Sequence, residues 1–391
     1  MKFLLIYVPN LRFSSFTDLF RLYTLKDVLQ RVSIPVNVEE NKLYYQIGIR
    51  SHSKGIFHKE AETGKQIGNK RIFWIEPNCM ILNIVFAWEQ AVAKTSEKEV
   101  GMVASHRFPM YKVLNNSLDY IVDFFKTEKG KQLLQMASPG GAGRNKTLNQ
   151  DFFLNSKIYL PSLNEQLKTS NLIDLIEDRI ETQSKIINSI ESQIRAINNH
   201  IASDSTSSEL NIASLFHVKT SNKLVESNTG KFCIVDMGTI DANGNYITGK
   251  YTDDETSLIP YGTLVMPKDD IGGGKIICKT MCINSSNKYA LSDHVFALKL
   301  KNDKYNPVYF SALINSQYNN HKLKKLVTGS AQLGINQENL NRYKLKFSDS
   351  LELQHKYSEI IVRLNEELII EKRLLDLFSS QKKYLLKNMF V

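Results

Sequence analysis

The chain has 391 residues, 42% of them hydrophobic and 10% aromatic, so it has room for two or three globular domains and its composition excludes a disordered chain. A formal net charge of +10 favours a polyanionic partner. No run of apolar residues reaches the 18 or so needed to span a membrane, and the short apolar stretch after Lys2 is too brief for a secretory signal.

Residues 1–24 read as a lead-in containing PNLRF (9–13). TLKDVL (24–29) is then a short helix, and YYQIGIR (44–50), RIFWI (71–75), MILNIVF (80–86) and RFPMYKV (107–113) are strand-like. LDYIVDFFKTEKGKQLLQMA (118–137) has helical period, SPGGAGRNK (138–146) is a Gly-rich turn, and IYLP (158–161) closes a first lobe. From Asn164 to Ile201, Ile173, Ile176, Ile180, Ile187, Ile190, Ile194, Ile197 and Ile201 recur in alternating steps of three and four, with Gln183 filling the gap. That is the 3.5-residue period of a coiled-coil seam, on a helix roughly 57 Å long. SDSTSSE (203–209) is a polar linker. The second lobe has a short helix in ASLFHV (213–218) and strands in KFCIVDM (231–237), IPYGTLVMP (259–267), KIICKTMCI (275–283) and SDHVFALKL (292–300). DANGNYITG (241–249) is a turn, and YFSALINSQYNNHKLKKL (309–326) is helical.

The seam returns 188 residues later at Ile361, Leu364, Leu368, Leu375, Phe378, Leu385 and Met389. Glu371 stands in place of Gln183, and Lys382 in place of Ile194 is the one clear break. LNQDFF (148–153) matches INQENL (335–340), and His106 with Phe108 matches His294 with Phe296. The chain is therefore a duplication: lobe, long helix, lobe, long helix. The expected fold class is α+β, with two similar mixed lobes and two long helices packed as an antiparallel coiled coil. The expected boundaries are 1–163, 164–202, 203–350 and 351–391. Gln183 and Glu371 would pin the register of the seam, as single buried polar residues do in coiled coils.

Motifs for chemistry fail on spacing. GGGK (272–275) has Asp269 where a phosphate loop needs Gly and Ile276 where it needs Ser or Thr. NPVY (306–309) lacks the second Pro of the Asn-Pro-Pro-Tyr clamp of amino-methyltransferases, and SPGGAG (138–143) is read as an ordinary loop rather than a phosphate nest. Cys79, Cys233, Cys278 and Cys282 are irregularly spaced, which fits reduced cytoplasmic thiols better than a metal site, and no cofactor or metal is expected in this chain. His106 and His294 are read as a duplicated structural hydrogen bond. The basic residues say more. The two long helices together carry a net charge of −1, leaving +11 on the lobes. Arg50, His52, Lys54, Lys70, Arg71, Arg107, Arg144 and Lys146 in lobe 1, and Lys219, Lys223, Lys268, Lys275 and Lys279 in lobe 2, are the candidate DNA contacts, interleaved as they are with Trp, Tyr and Asn.

With its PNLRF opening, IYLPSLNEQ (158–166) junction, SAQLGINQENL (330–340) loop and lobe–helix duplication, the chain resembles the specificity subunits of type I restriction–modification systems over essentially its whole length. KFSDSLELQ (346–354) departs from that pattern in lacking a Pro. The resemblance implies two target-recognition domains, each reading half of a bipartite double-stranded DNA site. It also implies two partner modification subunits that methylate adenine with S-adenosylmethionine, and ATP- and Mg-dependent restriction subunits. It carries no base-contacting residues over, because these domains diverge. The helices' outer faces look polar and nearly neutral, and removing 351–391 is expected to abolish assembly while leaving lobe 1 folded. Two other classes remain open: a stand-alone nuclease or methyltransferase, which would act on DNA unaided, and a protein-binding scaffold, which would show no salt-dependent DNA binding.

Overall fold

The computed structural model describes residues 8–140, 146–204, 208–241, 244–247, 249–330 and 332–391. The chain divides into two compact units, Met1–Thr182 with Leu375–Val391, and Gln183–Leu374. Both are α+β, and both are built on one plan.

In the first unit a four-stranded antiparallel sheet has the spatial order Leu29–Val32, Met110–Val113, Met80–Leu82, Val92–Lys94. In the second, Phe216–Lys219, Val295–Leu300, Leu264–Pro267 and Met281–Cys282 take the same order with the same antiparallel sense. Each sheet is preceded by a single helical turn, Leu25–Val28 or Ile212–Leu215, begun by Thr24 or Asn211. Each lobe also has a two-stranded ribbon leading toward its long helix: Arg21–Thr24 with Lys157–Leu160, and Ser208–Asn211 with Lys344–Phe347. The end of the supposed lead-in is thus a strand. Residues 275–283, read as one strand because they are apolar, are mostly loop, with only Met281–Cys282 paired.

Each helical stretch is also two helices. Leu118–Lys126 and Glu128–Met136 break at Thr127, and Pro307–Asn315 and Gln317–Lys324 break at Ser316. The two hydroxyls do the same work. Thr127 donates to the Phe124 carbonyl and accepts from the Gly130 N–H, and Ser316 donates to the Leu313 carbonyl and accepts from the Asn319 N–H. A hydroxyl that ends one helix and caps the next makes a sharp joint that apolar periodicity does not register. At Gly130 a Cβ would lie 2.2 Å from the Phe124 carbonyl oxygen, so the joint of lobe 1 closes only around glycine.

The long helices run Leu163–Asp204 and Leu351–Asn388, and each unit takes a part of both. In the first unit they run antiparallel: Lys382 pairs with Glu177 and Arg179 lies over Phe378. Ile173, Ile176, Leu385, Met389 and Phe390 complete the core of lobe 1, with Phe390 4.7 Å from the Tyr120 ring. Deleting 351–391 would therefore strip that core, so the expectation that lobe 1 survives the deletion is corrected. In the second unit the sense is again antiparallel. Gln183 meets Glu371, the His200 ring meets Tyr357, and Ile201 and Ile361 join the core of lobe 2.

Arg12 of PNLRF docks its Nε and Nη2 on the buried Glu165 carboxylate, both at 2.7 Å, in the first turn of its helix. That carboxylate raises the pKa of the guanidinium. The long helices' outer faces are less polar than their sequence suggests: Leu175 and Leu377 in the first unit, and Ile369 and Ile370 in the second, are exposed. Among the described residues no helix is long and apolar enough to cross a membrane.

Candidate nucleic-acid interface

Beyond one end of the two central strands of each sheet the two lobes share a set of backbone hydrogen bonds. In lobe 1 the Ile84 N–H donates to the Arg107 carbonyl and the Ile84 carbonyl accepts from Leu148. In lobe 2 Lys268 bonds in the same way to His294 and Ile335. Together with the strand pairings Arg31↔Tyr111 and Val218↔Leu298, these bonds set the equivalence of the two lobes. Arg107 corresponds to His294, Ile84 to Lys268, and Asn149-Gln150 to Asn336-Gln337. The pairing of His106 with His294 read from the sequence is off by one residue, because a short motif aligned without the strands cannot fix register.

On this frame sit loops with unlike side chains. In lobe 1 the loop after Met80–Leu82 carries Phe86 and Trp88, with the Lys146 ammonium 5.1 Å from the Trp88 ring. The turn bearing Arg50, His52 and Lys54 is fastened to it: His52 and Ser53, both left-handed, donate their N–H groups to the carbonyls of Glu89 and Gln90 at 2.7 and 2.9 Å. Arg107 flanks the loop, and the His106 N–H bonds to the Arg71 carbonyl. The structure therefore brings Arg50, His52, Lys54, Arg107 and Lys146 around one loop, with Arg71 bonded alongside and Lys70 next to it in the chain. All are exposed except the partly buried Lys146. Arg144 lies outside the described residues.

In lobe 2 Lys268 borders an open cleft of about 430 Å3 with Thr220, Phe296 and Gln337. Lys219 lies at the strand end beside Thr220, and the His294 Nδ1 is 2.9 Å from Asp269. Lys275 projects from the loop above, and Lys223 is exposed in the segment after Thr220. Lys279 is elsewhere in role: it is partly buried, it reaches the Asn315 carbonyl, and burial lowers its pKa with help from Lys324 and Arg195. In lobe 1 the corresponding cleft is lined by Arg31, Tyr111, Asn149 and Gln150, with the Arg31 guanidinium over the Tyr111 ring and both side chains donating to the Gln150 side-chain Oε1. Arg31 escaped the sequence reading because it stands alone, without neighbouring basic residues.

The GGGK segment is a nest folded on its own anion. The Asp270 carboxylate, 1% exposed, accepts N–H bonds from Gly272 (2.5 Å), Ile276 (2.8 Å) and Ile277 (3.2 Å). Burial would raise its pKa, but these bonds outweigh it and hold the carboxyl below its ordinary value. The Asp270→Asn variant removes one acceptor oxygen and turns an amide N–H2 toward backbone donors. It is expected to cost about 1–3 kcal/mol and to speed amide exchange at 272–277. An unchanged exchange pattern would show that the carboxylate does not organise the loop. The thiols of Cys278 and Cys282 are pushed up to about 12 by burial and are poor nucleophiles at neutral pH.

Gln183 is 6% exposed, and its amide donates to the Glu371 carboxylate and, at 3.2 Å, to the Glu371 carbonyl.

Residues 206–377 match the family described as the Type I restriction modification DNA specificity domain. The fold is similar to the crystal structure of a type I restriction-modification system S subunit from M. genitalium, at 14% identity and a TM-score of 0.66, over 98% of this chain and 99% of that one. It is also similar to a chain from a structure of a type I R-M system described for its complex assembly and conformational transition, at 10% identity and a TM-score of 0.56, over 95% and 97% of the two chains. No curated protein matches. Residues 206–377 thus match a type I restriction modification DNA specificity domain, and over nearly its whole length the chain has the fold of an S subunit.

Proposed function

We propose that the two lobes, taken as 1–163 and 203–350, each read one half of a bipartite DNA site, while the helices at 164–202 and 351–391 act as spacers. The observation that carries this reading is the duplicated frame with unlike side chains: Arg107 against His294, and Ile84 against Lys268, on the same backbone bonds. A shared frame gives both lobes one docking geometry, and different side chains give them different base preferences. The candidate contacts are the basic residues around the Phe86–Trp88 loop in lobe 1 and Lys219, Lys223, Lys268 and Lys275 in lobe 2. Lys279 is kept as the weakest candidate, since it is turned to the Asn315 carbonyl. The buried Gln183–Glu371 contact fixes the register of the helix pair.

Two modification subunits, with restriction subunits beyond them, are the proposed partners. They would carry S-adenosylmethionine, ATP and Mg, and the complex would work in the cytoplasm. The exposed apolar residues Leu175, Ile369, Ile370 and Leu377 support the long helices as the docking surface for partner subunits. The test is to co-express the chain with its modification subunit and map methylated adenines in host DNA. One interrupted motif should appear, absent without this chain, and exchanging lobe 1 should alter only one half of it. A motif altered in both halves by that exchange, or no motif from an assembled complex, would refute the division of labour.

A further inference from the structure

In both lobes the loop between the third and fourth strands of the sheet is stiffened at both ends. At the near end it is held by the shared backbone bonds of Ile84 or Lys268. At the far end it is pinned to the helix joint. In lobe 1 the Gln90 amide, 9% exposed, donates to the Phe125 and Thr127 carbonyls at 2.9 and 3.2 Å. In lobe 2 Asn315, beside the joint residue Ser316, exchanges two bonds with the Thr280 backbone at 2.8 and 2.7 Å, and the buried Asn320 amide donates to the Cys278 carbonyl. The pinning side chains differ in type and in chain position, yet they hold equivalent loops to equivalent joints.

Each stiffened loop displays one large apolar side chain close to its near anchor. Phe86, two residues past Ile84, is 43% exposed, and Ile271, three residues past Lys268, is 65% exposed. Basic residues belong to both loop neighbourhoods: in lobe 1 the Arg107 carbonyl accepts from Ile84 and the Lys146 ammonium lies over the Trp88 ring, and in lobe 2 Lys268 and Lys275 are on the same loop as Ile271. An exposed apolar tip on a doubly anchored loop that also carries or neighbours basic residues complements a nucleic-acid groove, where phosphates lie at the rim and base edges, thymine methyls and stacked faces lie within.

We propose that Phe86 and Ile271 are specificity-determining residues, each placing an apolar contact on a base of one half-site. The inference rests on the reading of the lobes as DNA readers. It adds that discrimination in each half depends on an apolar contact from this loop as well as on the basic residues around it.

The test uses the full chain assembled with its modification subunits, as wild type, Phe86→Ala and Ile271→Ala. Binding is measured to duplexes bearing the wild-type motif, to duplexes with every single base-pair change in it, and to unrelated DNA. Each substitution should reduce discrimination at one or two positions by roughly 5- to 100-fold. The two variants should act on opposite halves, with affinity for unrelated DNA and thermal midpoint unchanged. Wild-type selectivity at every position in both variants would overturn the proposal, as would a uniform loss across all sequences, which would make the loops backbone contacts. If the wild-type complex itself shows no bipartite preference, the underlying reading falls first, and that result is distinguishable because it needs no variant.

Discussion

Replacing Gln354 by leucine is expected to destabilise the second unit by about 2–4 kcal/mol, most of it from orphaned backbone groups. Gln354 sits in the first turn of its long helix with no exposed surface. Its side-chain Oε1 accepts from the Asn306 N–H at 3.1 Å, and its side-chain amide donates to the Ser348 carbonyl at 2.8 Å. Leucine fills the space but leaves that donor and that acceptor without a partner. Gln166 makes the same clamp in the first unit, bonded to the Ser117 N–H at 2.9 Å and the Pro161 carbonyl at 3.0 Å, and additionally to Asn116. One turn further along, Ser170 and Ser358 each bond back to the carbonyl of the clamping Gln. The glutamine is therefore what orients each lobe on its helix. Gln166→Leu should cost a similar amount, and urea unfolding of the full chain with a fluorophore in each lobe would measure both. A change below about 0.5 kcal/mol in either variant would mean that water replaces the clamp.

The architecture was legible because it is written in long periods. A seam of isoleucines over the first long helix, repeated 188 residues later, needs no tertiary information to be recognised. The clamp was visible only as the letters of a motif, NEQ in the first turn of the first long helix and LELQ in the first turn of the second, since nothing in spacing says that a Gln will reach the cap of another helix. The helix joints at Thr127 and Ser316 were missed for a related reason: both stretches keep their apolar content across the break, and only a hydroxyl bonding in both directions ends one helix and begins the next. The strand expected at 275–283 failed because its apolar residues are buried under a loop nucleated by Asp270, and burial without pairing looks like a strand in sequence.

The candidate interface was half legible. Clusters such as Arg50, His52 and Lys54 stand out in sequence and do lie together on one turn. The residues that hold that turn, Glu89 and Gln90, act through backbone carbonyls and carry no side-chain signal. Lys279 has the same composition signal as Lys275, but its direction is set by Asn315, a contact across more than thirty residues. The break in the second seam at Lys382 also gains a reason. Its ammonium reaches Glu177 at 2.7 Å, so the apolar position is given over to an ion pair that lobe 2 lacks, where Ile194 takes its place.

That ion pair belongs to the most consequential charge cluster of lobe 1. Lys126 bridges Asp123 at 2.8 Å and Glu177 at 2.9 Å, tying the Leu118–Lys126 helix to the long helix. Burial alone would lower the Lys126 pKa, but the two carboxylates reverse this and raise it; burial likewise fails to raise Glu177, which Lys126 and Lys382 hold down. Asp123 is different. It is 2% exposed, its Oδ2 has no hydrogen-bond partner, and burial pushes its carboxyl up to about 6 despite Lys126. Lys126→Met leaves that carboxylate buried without its cation and is expected to destabilise lobe 1 by about 3–5 kcal/mol at pH 7.5. The double variant Asp123→Asn/Lys126→Met should recover a large share of the loss. The sign of the pH dependence follows from the raised value. Between the ordinary carboxylate value near 4 and about 6, the folded state keeps a proton that the unfolded chain releases, so stability falls as pH rises through that window, by up to about 3 kcal/mol from this group. Asp123→Asn should remove that slope relative to the wild type while keeping the joint folded. Equal slopes in the two proteins from pH 4 to 6.5 would place the buried charge elsewhere, and the Lys126→Met loss would then have to come from the packing of its methylene stem against the helix.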